Sequence, residues 1–366
     1  MTEAILPSTD LLSRPVPLSN VMRAAVLYGQ RDVRLEDCPT PVPGPGEVLI
    51  RVEAALTDGT DLKVYRRGYH ARMIVPPALF GHEFAGSVAS VGPGVDNWPT
   101  GQRVVAANSA PCGRCWYCEK GQESLCEDLV FVNGAYAPFL LLPARVVEKN
   151  LLRLRSSTPA CHAALTEPLA CVVKGLRDLG VRRGENVAVI GSGPIGLMAV
   201  RLITLAGAFP ILCGRRQEQL RIGEKIGARI VPAPVDPADL PRLLSEGGRG
   251  PDCVFEATGI PAVWEAAIET VRRGGKVNLF GGCPAGTRAS FDTNRIHYGE
   301  ISLFGSFHHT PADIRTALDL IESGAVQPDP LFDGVEPLDR LPTVLDEMDR
   351  RVRFLKTVIV PERLPR

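Results

Sequence analysis

The sequence predicts an α/β plus β protein in two parts, a small β-rich domain and a doubly wound parallel sheet. Two observations carry that class. From Met22 to about Leu142 the chain is a series of short β-prone segments broken by Gly and Pro clusters. From about Arg182 apolar strands alternate with helical segments, the pattern of a parallel sheet covered by helices on both faces.

In the first region RAAVLYG, EVLIRVEAAL, EFAGSVASVG and QRVVAA read as strands, with PVPGPGE and GPGVDN as turns between them. Short strands so interrupted suggest a small barrel or sandwich. In the second region NVAVIG is an apolar strand and IGLMAVRLITLAGA a long helix. The alternation continues through PILCG, RQEQLRIGEKIGA, DCVFEAT, PAVWEAAIETVRR and KVNLFGG, and ISLFGS closes the sheet as its sixth strand. Thr310 and Pro311 supply a cap and first turn for ADIRTALDLIESG, which Gly324 is placed to end. The tail is strand-poor until KTVIV, a segment able to return to the first domain's sheet.

Composition narrows the function. Lys plus Arg equals Asp plus Glu at 41 each, so no net field gathers nucleic acid or an anionic membrane. No apolar run approaches the roughly 20 residues of a membrane helix. Residues 1–21, with Glu3 and Asp10 and no apolar core, read as a loose extension rather than a signal peptide. Ten cysteines, four of them clustered, suit metal in a reducing cytoplasm better than a disulfide scaffold.

Three motifs carry chemistry. VAVIGSGPIG places Gly191, Gly193 and Gly196 in G-x-G-x-x-G spacing, with Pro194 and Ile195 opening the following helix. After a strand and before a helix, this is the context of a dinucleotide-binding turn. The next strand ends at Gly214 and runs into Arg215 and Arg216, where an NAD site has an acid. Gly214 leaves room for a 2′-phosphate and two guanidiniums can bind it, so NADP is expected over NAD; the bland alternative is two solvated arginines starting a helix. PCGRCWYCEKGQESLC sets Cys112, Cys115, Cys118 and Cys126 at the spacing of a closed tetrahedral zinc site. The six other cysteines (Cys38, Cys161, Cys171, Cys213, Cys253 and Cys283) read as small core residues.

A four-cysteine lobe in an N-terminal β domain, GHE before it and GSGPIG after it resemble the zinc-dependent medium-chain dehydrogenase/reductase superfamily, over nearly all of Met22 to Pro361. TEPLACVVKG and HYGEISLFGSFHHTP look most like its polyol branch, the sorbitol or L-iditol dehydrogenases. The resemblance implies a GroES-like catalytic domain (22–171), an inserted Rossmann domain (172–308) and a C-terminal completion of the first (309–366). It also implies a dimer or tetramer and a second, catalytic zinc.

That zinc's motif in the family is C-G-T-D or C-G-S-D followed by GHE. Here DGTDLK puts Asp58 at the cysteine position, His82 fills the histidine position, and Glu167 of EPL matches the polyol branch's third ligand. The family places a proton-relay hydroxyl at Thr60 and, in some members, an outward proton carrier at Lys63, which reads equally as a surface lysine. Glu83 is a carboxylate behind the ligands, a fourth exchangeable ligand, or a charge paired with an arginine. Phe280 matches a position whose backbone contacts nicotinamide. His297, His308 and His309 line a cleft or serve as stacking and capping residues. The expected function is hydride transfer between NADP(H) and a secondary alcohol or ketone, a polyol, sugar or cyclitol. The rivals are a biosynthetic ketone or aldehyde reductase and a non-catalytic NADP(H)-binding redox sensor.

Overall fold

In a computed structural model, which describes residues 19–70, 72–233, 243–244 and 247–361, the strand Val48–Leu56 is buried along most of its length. Its apolar run VLIRVEAAL requires partners on several sides, and it finds them. It pairs antiparallel with Glu83–Val91, Phe139–Leu142 and Lys356–Val360. The last of these is the expected returning strand KTVIV, here joined by a parallel neighbour, Phe332–Pro337, that the sequence pattern did not reveal. Arg103–Ala106 and Leu151–Arg153 complete a seven-stranded sheet. A three-stranded sheet sets Val21–Gly29 between Asp32–Pro39 and Ala78–Leu79. The expected extension lies outside the described residues up to residue 18.

The chain divides into two compact units, Met1–Glu167 with Thr310–Arg366, and Pro168–His309. The division falls inside the helix Thr166–Leu179, four residues before the expected end of the first domain at 171. The core of the first unit gathers Leu27, Ile50, Phe80, Phe84, Tyr136 and Ile359 from both of its chain segments.

The second unit holds a six-stranded parallel sheet in the order Arg229–Pro232, Phe209–Gly214, Asn186–Ile190, Cys253–Glu256, Lys276–Leu279, Ser302–Phe304. Strand order reverses between Asn186–Ile190 and Cys253–Glu256, which is where open α/β sheets of this kind bind ligands. Arg229–Pro232 is a strand that the apolar pattern missed, because only four residues pair there and their burial is mixed. The helix Pro311–Glu322 starts as expected, with Thr310 and Asp313 forming a reciprocal capping box. No helix among the described residues is long and apolar enough to cross a membrane.

Backbone approach limits substitution at one point of the strand that begins after His82. A Cβ on Gly86 would lie 1.9 Å from the Arg51 carbonyl oxygen of the neighbouring strand. Gly86→Ala is expected to cost about 1–3 kcal/mol of stability in urea unfolding, as overpacking does. Gly29→Ala, where nothing lies within 4 Å of the new carbon, is the neutral control. Equal midpoints for the two variants would contradict this expectation.

Candidate active site and metal centres

The first centre is built on a helix start. Asp58 caps the helix Gly59–Arg67: its Oδ1 accepts from the Asp61 N–H at 2.7 Å, and Asp61 Oδ2 accepts from the Asp58 N–H at 3.2 Å. Asp at this position is a strong cap, whereas cysteine lacks an oxygen to offer. One oxygen of Asp58 is thus spent on the helix, and the other, Oδ2, lies 3.8 Å from His82 Nε2. His82 enters from Gly81, whose φ of +91° no side chain adopts easily. Its Nδ1 is 3.3 Å from Asp61 Oδ1. A carboxylate on one ring nitrogen fixes the tautomer and aims the other nitrogen outward, the arrangement of metal-binding histidines.

Glu167, in the first turn of Thr166–Leu179, brings a carboxylate oxygen within 4.8 Å of His82 and Glu83, while Asp58 and Asp61 lie within the same distance of His82. His82 therefore belongs to both clusters. Burial alone would lower its pKa, but Asp58, the Asp61 hydrogen bond and Glu167 hold it well above the usual histidine range. Burial likewise pushes the Asp58 carboxyl up, yet His82, Lys356 and the helix amides outweigh that and hold it below its ordinary value.

Glu83 is fully buried, and its partner is a lysine rather than the arginine considered from sequence. Lys356 Nζ lies 2.7 and 2.6 Å from the two Glu83 oxygens and donates also to the Thr57 carbonyl at 3.3 Å. Burial would lower the Lys356 pKa; Glu83 and then Asp58 reverse that and keep it charged.

The donor types suit zinc, with Asp58 and Glu167 each near His82 but in separate clusters. An imidazole and two carboxylates belong to zinc's ligand repertoire, and bonds of 2.0–2.1 Å give a tetrahedron with edges of roughly 3.4 Å. The 3.8 Å between Asp58 Oδ2 and His82 Nε2 is close to that edge. Thr60 and Lys63, both half-buried, lie one turn apart on the helix that Asp58 caps.

The four-cysteine lobe is the second centre. All four sulfurs lie within 4.8 Å of one another, with separations of 3.6 Å for Cys115–Cys118, 3.8 Å for Cys115–Cys126 and 4.0 Å for Cys112–Cys118. Four thiolates about 2.3 Å from a common zinc sit about 3.8 Å apart, whereas a disulfide brings sulfurs to about 2.05 Å. The thiols are free, and backbone N–H groups of Cys112, Arg114 and Cys115 already point at sulfur. Donation from the Glu127 and Cys118 amides lowers the Cys115 thiol to about 6.

In the second unit the glycine turn has the form its spacing implies. Gly191 takes φ +117°; a Cβ on Gly196 would strike the Gly191 carbonyl at 1.8 Å; around Gly193 nothing lies within 4 Å, which leaves its backbone approachable. Gly193 caps the helix Pro194–Leu205, with Pro194 in the first turn followed by Ile195. Gly214 has a second reason to be glycine. A Cβ there would meet Ser192 Oγ at 2.4 Å, so packing against the turn, and not only space for a phosphate, demands it. Ser192 Oγ donates to Gln219 Oε1 at 3.2 Å, and an Arg216 amino group reaches the same oxygen at 3.5 Å. Arg215 is exposed. The Phe280 N–H is spent on the Glu256 carbonyl at 3.1 Å, and its ring packs on Phe255. His297 is exposed beside Tyr298, and His308 packs between Phe307 and His309. Of the lone cysteines, Cys213 and Cys253 are core residues as expected, while Cys38, Cys161, Cys171 and Cys283 are only half-buried.

Three residues of the first centre escaped the sequence reading. Asp61 was visible as the last letter of DGTD. Lys356 is one of only seven lysines and interrupts an otherwise apolar β segment, which is a usable signal. Tyr136 carried none.

Comparison with known proteins gives the family. The family model described as alcohol dehydrogenase GroES-like domain matches residues 44–151, and that described as zinc-binding dehydrogenase matches 194–323. An L-threonine 3-dehydrogenase of Pyrococcus abyssi is 32% identical over 320 residues, covering 85% of this chain and 89% of that protein. A sorbitol dehydrogenase of Bacillus subtilis is 30% identical over 354 residues, covering 93% and 98%. A solved zinc-binding dehydrogenase from Sinorhizobium meliloti 1021, bound to NADP, superposes with a TM-score of 0.85 at 29% identity, covering 94% of this chain and all of that one. The Cys-rich lobe, the GHE histidine and the glycine turn thus lie in a chain that belongs to the zinc-dependent medium-chain alcohol dehydrogenase family, an oxidoreductase acting on alcohol groups with a nicotinamide cofactor.

Proposed function

We propose that the protein oxidises a secondary alcohol of the polyol, sugar or cyclitol class, or reduces the matching ketone, with NADP(H) as the preferred cofactor and two zinc ions per chain. The observation that carries the reading is the convergence of Asp58 and Glu167 on His82 inside one unit. Relatives named sorbitol dehydrogenase and D-arabinitol dehydrogenase support the polyol class. A dimer or tetramer in the cytoplasm completes the proposal, carried by the family resemblance.

Asp58, His82 and Glu167 would hold the catalytic zinc, and Cys112, Cys115, Cys118 and Cys126 the structural one. When bound, zinc supplies Lewis-acid polarisation of the alcohol oxygen, and NADP⁺ supplies the hydride acceptor. Asp61 holds the proton on His82 Nδ1, so that the Nε2 proton is the one a metal would displace on binding. The Thr60 hydroxyl takes the alcohol proton at Oγ1 and passes on its own, with Lys63 one turn further out as the next carrier. Glu83 stands behind the ligands, neutralised by Lys356. Gly191, Gly193, Pro194, Ile195 and Gly196 present helix N–H groups to the pyrophosphate. Arg215 and Arg216 bind the 2′-phosphate, Arg216 being steadied by Gln219. The Phe280 backbone flanks the nicotinamide. The test is a screen of polyols, aldoses, cyclitols and simple secondary alcohols with NADP and NAD, following absorbance of the reduced cofactor. No turnover with any secondary alcohol or ketone would refute the class.

The arginines generate a cofactor prediction. A hydrogen bond to a charged group is worth about 1.5–3 kcal/mol. Arg215→Ala or Arg216→Ala should therefore weaken NADP roughly ten- to a hundredfold and leave NAD nearly unchanged. Equal use of both cofactors by the unaltered protein sinks the preference.

For the cysteine lobe, Cys115→Ser should lower the melting temperature and the zinc content by one ion per chain, because the loop loses its closure. A variant with unchanged zinc and melting temperature would show that the lobe holds no structural metal.

Asp58 has two duties, and variants separate them. Asp58→Ala should lose metal, activity and about 1 kcal/mol of stability from the missing cap. Asp58→Asn keeps an oxygen for the Asp61 amide, so melting is preserved while metal and activity fall. Under chelator the carboxylate-held zinc should leave before the thiolate-held one, with added cobalt or manganese restoring part of the rate. Full metal and activity in Asp58→Ala would remove Asp58 from the ligand set.

A further inference from the structure

Tyr136 is fully buried, and its hydroxyl lies 2.5 Å from Asp61 Oδ2 and 3.0 Å from the Leu56 carbonyl oxygen. It has one proton for two acceptors. The carboxylate oxygen is the nearer of the two, and the hydroxyl donates to it. Asp61 then receives three donors: the Tyr136 hydroxyl, the Asp58 amide and His82 Nδ1–H. Three donors on two oxygens fix the plane of the carboxyl group.

The same ring holds His82 from its other side. Gly81 is left-handed, and a Cβ there would fall 2.6 Å from a Tyr136 ring carbon, so the ring lies flat against the residue that delivers His82. Gly134 and Ala135 donate to the Gly81 carbonyl at 2.8 and 3.1 Å, and Tyr136 N–H donates to the Phe80 carbonyl at 3.0 Å. A phenylalanine would fill this space without the cost of burying a hydroxyl. Hydroxyl and ring therefore act on one target from two directions.

We infer that Tyr136 is a positioning residue of the catalytic metal centre: its hydroxyl orients Asp61, Asp61 orients His82, and its ring fixes the backbone that carries the histidine. The inference rests on the proposed role of His82 as a ligand. It extends the ordering of the site one layer beyond the carboxylate on the histidine, to a residue 75 positions along the chain from Asp61.

The test compares Tyr136→Phe, Asp61→Asn and the double variant, each as the full chain loaded with zinc or cobalt. Release of metal to a chelator is followed, with the four-cysteine metal as internal reference, together with the cobalt absorption bands. Tyr136→Phe should release the Asp58–His82–Glu167 metal about tenfold faster, within the range seen when outer-shell partners of metal ligands are removed. It should also shift the cobalt bands and leave the four-cysteine metal untouched. The double variant should release no faster than Asp61→Asn, because the hydroxyl acts through that carboxylate. An unaltered chain that takes two metals, with Tyr136→Phe matching it in release rate and spectrum, overturns this inference alone. Additive effects in the double variant overturn the route through Asp61. An unaltered chain that binds metal only at the four cysteines overturns the ligand reading and this inference together.

Discussion

A buried ion pair between the two ends of the first unit is the constraint on which its centre depends. Lys356 lies on the last strand, Glu83 immediately after His82, 273 positions apart, and both are all but inaccessible to water. Breaking such a pair leaves one uncompensated charge and costs about 3–5 kcal/mol. The pair also answers an electrostatic problem. Asp58, Asp61, Glu83 and Glu167 crowd one imidazole, and so many carboxylates persist together only if positive charge stands among them. Lys356 supplies one such charge permanently. His82, held well above the usual histidine range by these carboxylates, supplies a second, and burial pushes the Glu83 carboxyl well above its ordinary value.

Helix capping shapes the ligand set as much as charge does. At Asp58 one carboxylate oxygen closes the first turn and the other faces His82. A thiolate would have to use one sulfur atom for both. Exchanging cysteine for aspartate at this corner therefore trades a softer ligand for a helix start that holds itself in place, with Asp61 as reciprocal partner. Asp61 in turn spends one oxygen on the Asp58 amide and Tyr136, and the other on His82. The proposed metal corner and the helix end are one hydrogen-bonded object, and a change in either is felt in the other.

Legibility in the sequence depended on the range of the interactions. The glycine turn was readable because its demands are local: a positive φ at Gly191 and a backbone contact at Gly196 lie within a few residues. The four cysteines were readable because the lobe closes within one short segment. Asp58, His82 and Glu167 could be named only through resemblance, since no local rule brings positions so far apart together. Lys356 and Tyr136 reach the centre across 273 and 75 positions; the lysine stands out in its apolar segment, but nothing near either residue names its partner. The strands Arg229–Pro232 and Phe332–Pro337 were hidden for the converse reason. Half-buried and exposed residues predominate in them, so pairing rather than hydrophobicity defines them.

Gly214 shows how packing alone accounts for a glycine read from sequence as a cofactor determinant. Room for a 2′-phosphate explains a glycine there, but Ser192 would be struck by any side chain whether or not a phosphate is bound. The discriminating information therefore lies one step further along the chain, in the two residues after the glycine. Ser192 belongs to the turn, Gln219 to the helix Gln217–Lys225, and Arg216 caps that helix. Through the shared Gln219 oxygen, the glycine turn is tied to the Arg216 guanidinium. An acid at position 215 or 216 would leave this packing of Gly214 against Ser192 intact while reversing the charge offered to the ribose. On the proposed reading the scaffold is neutral between the two dinucleotides, and the charge of Arg215 and Arg216 makes the choice.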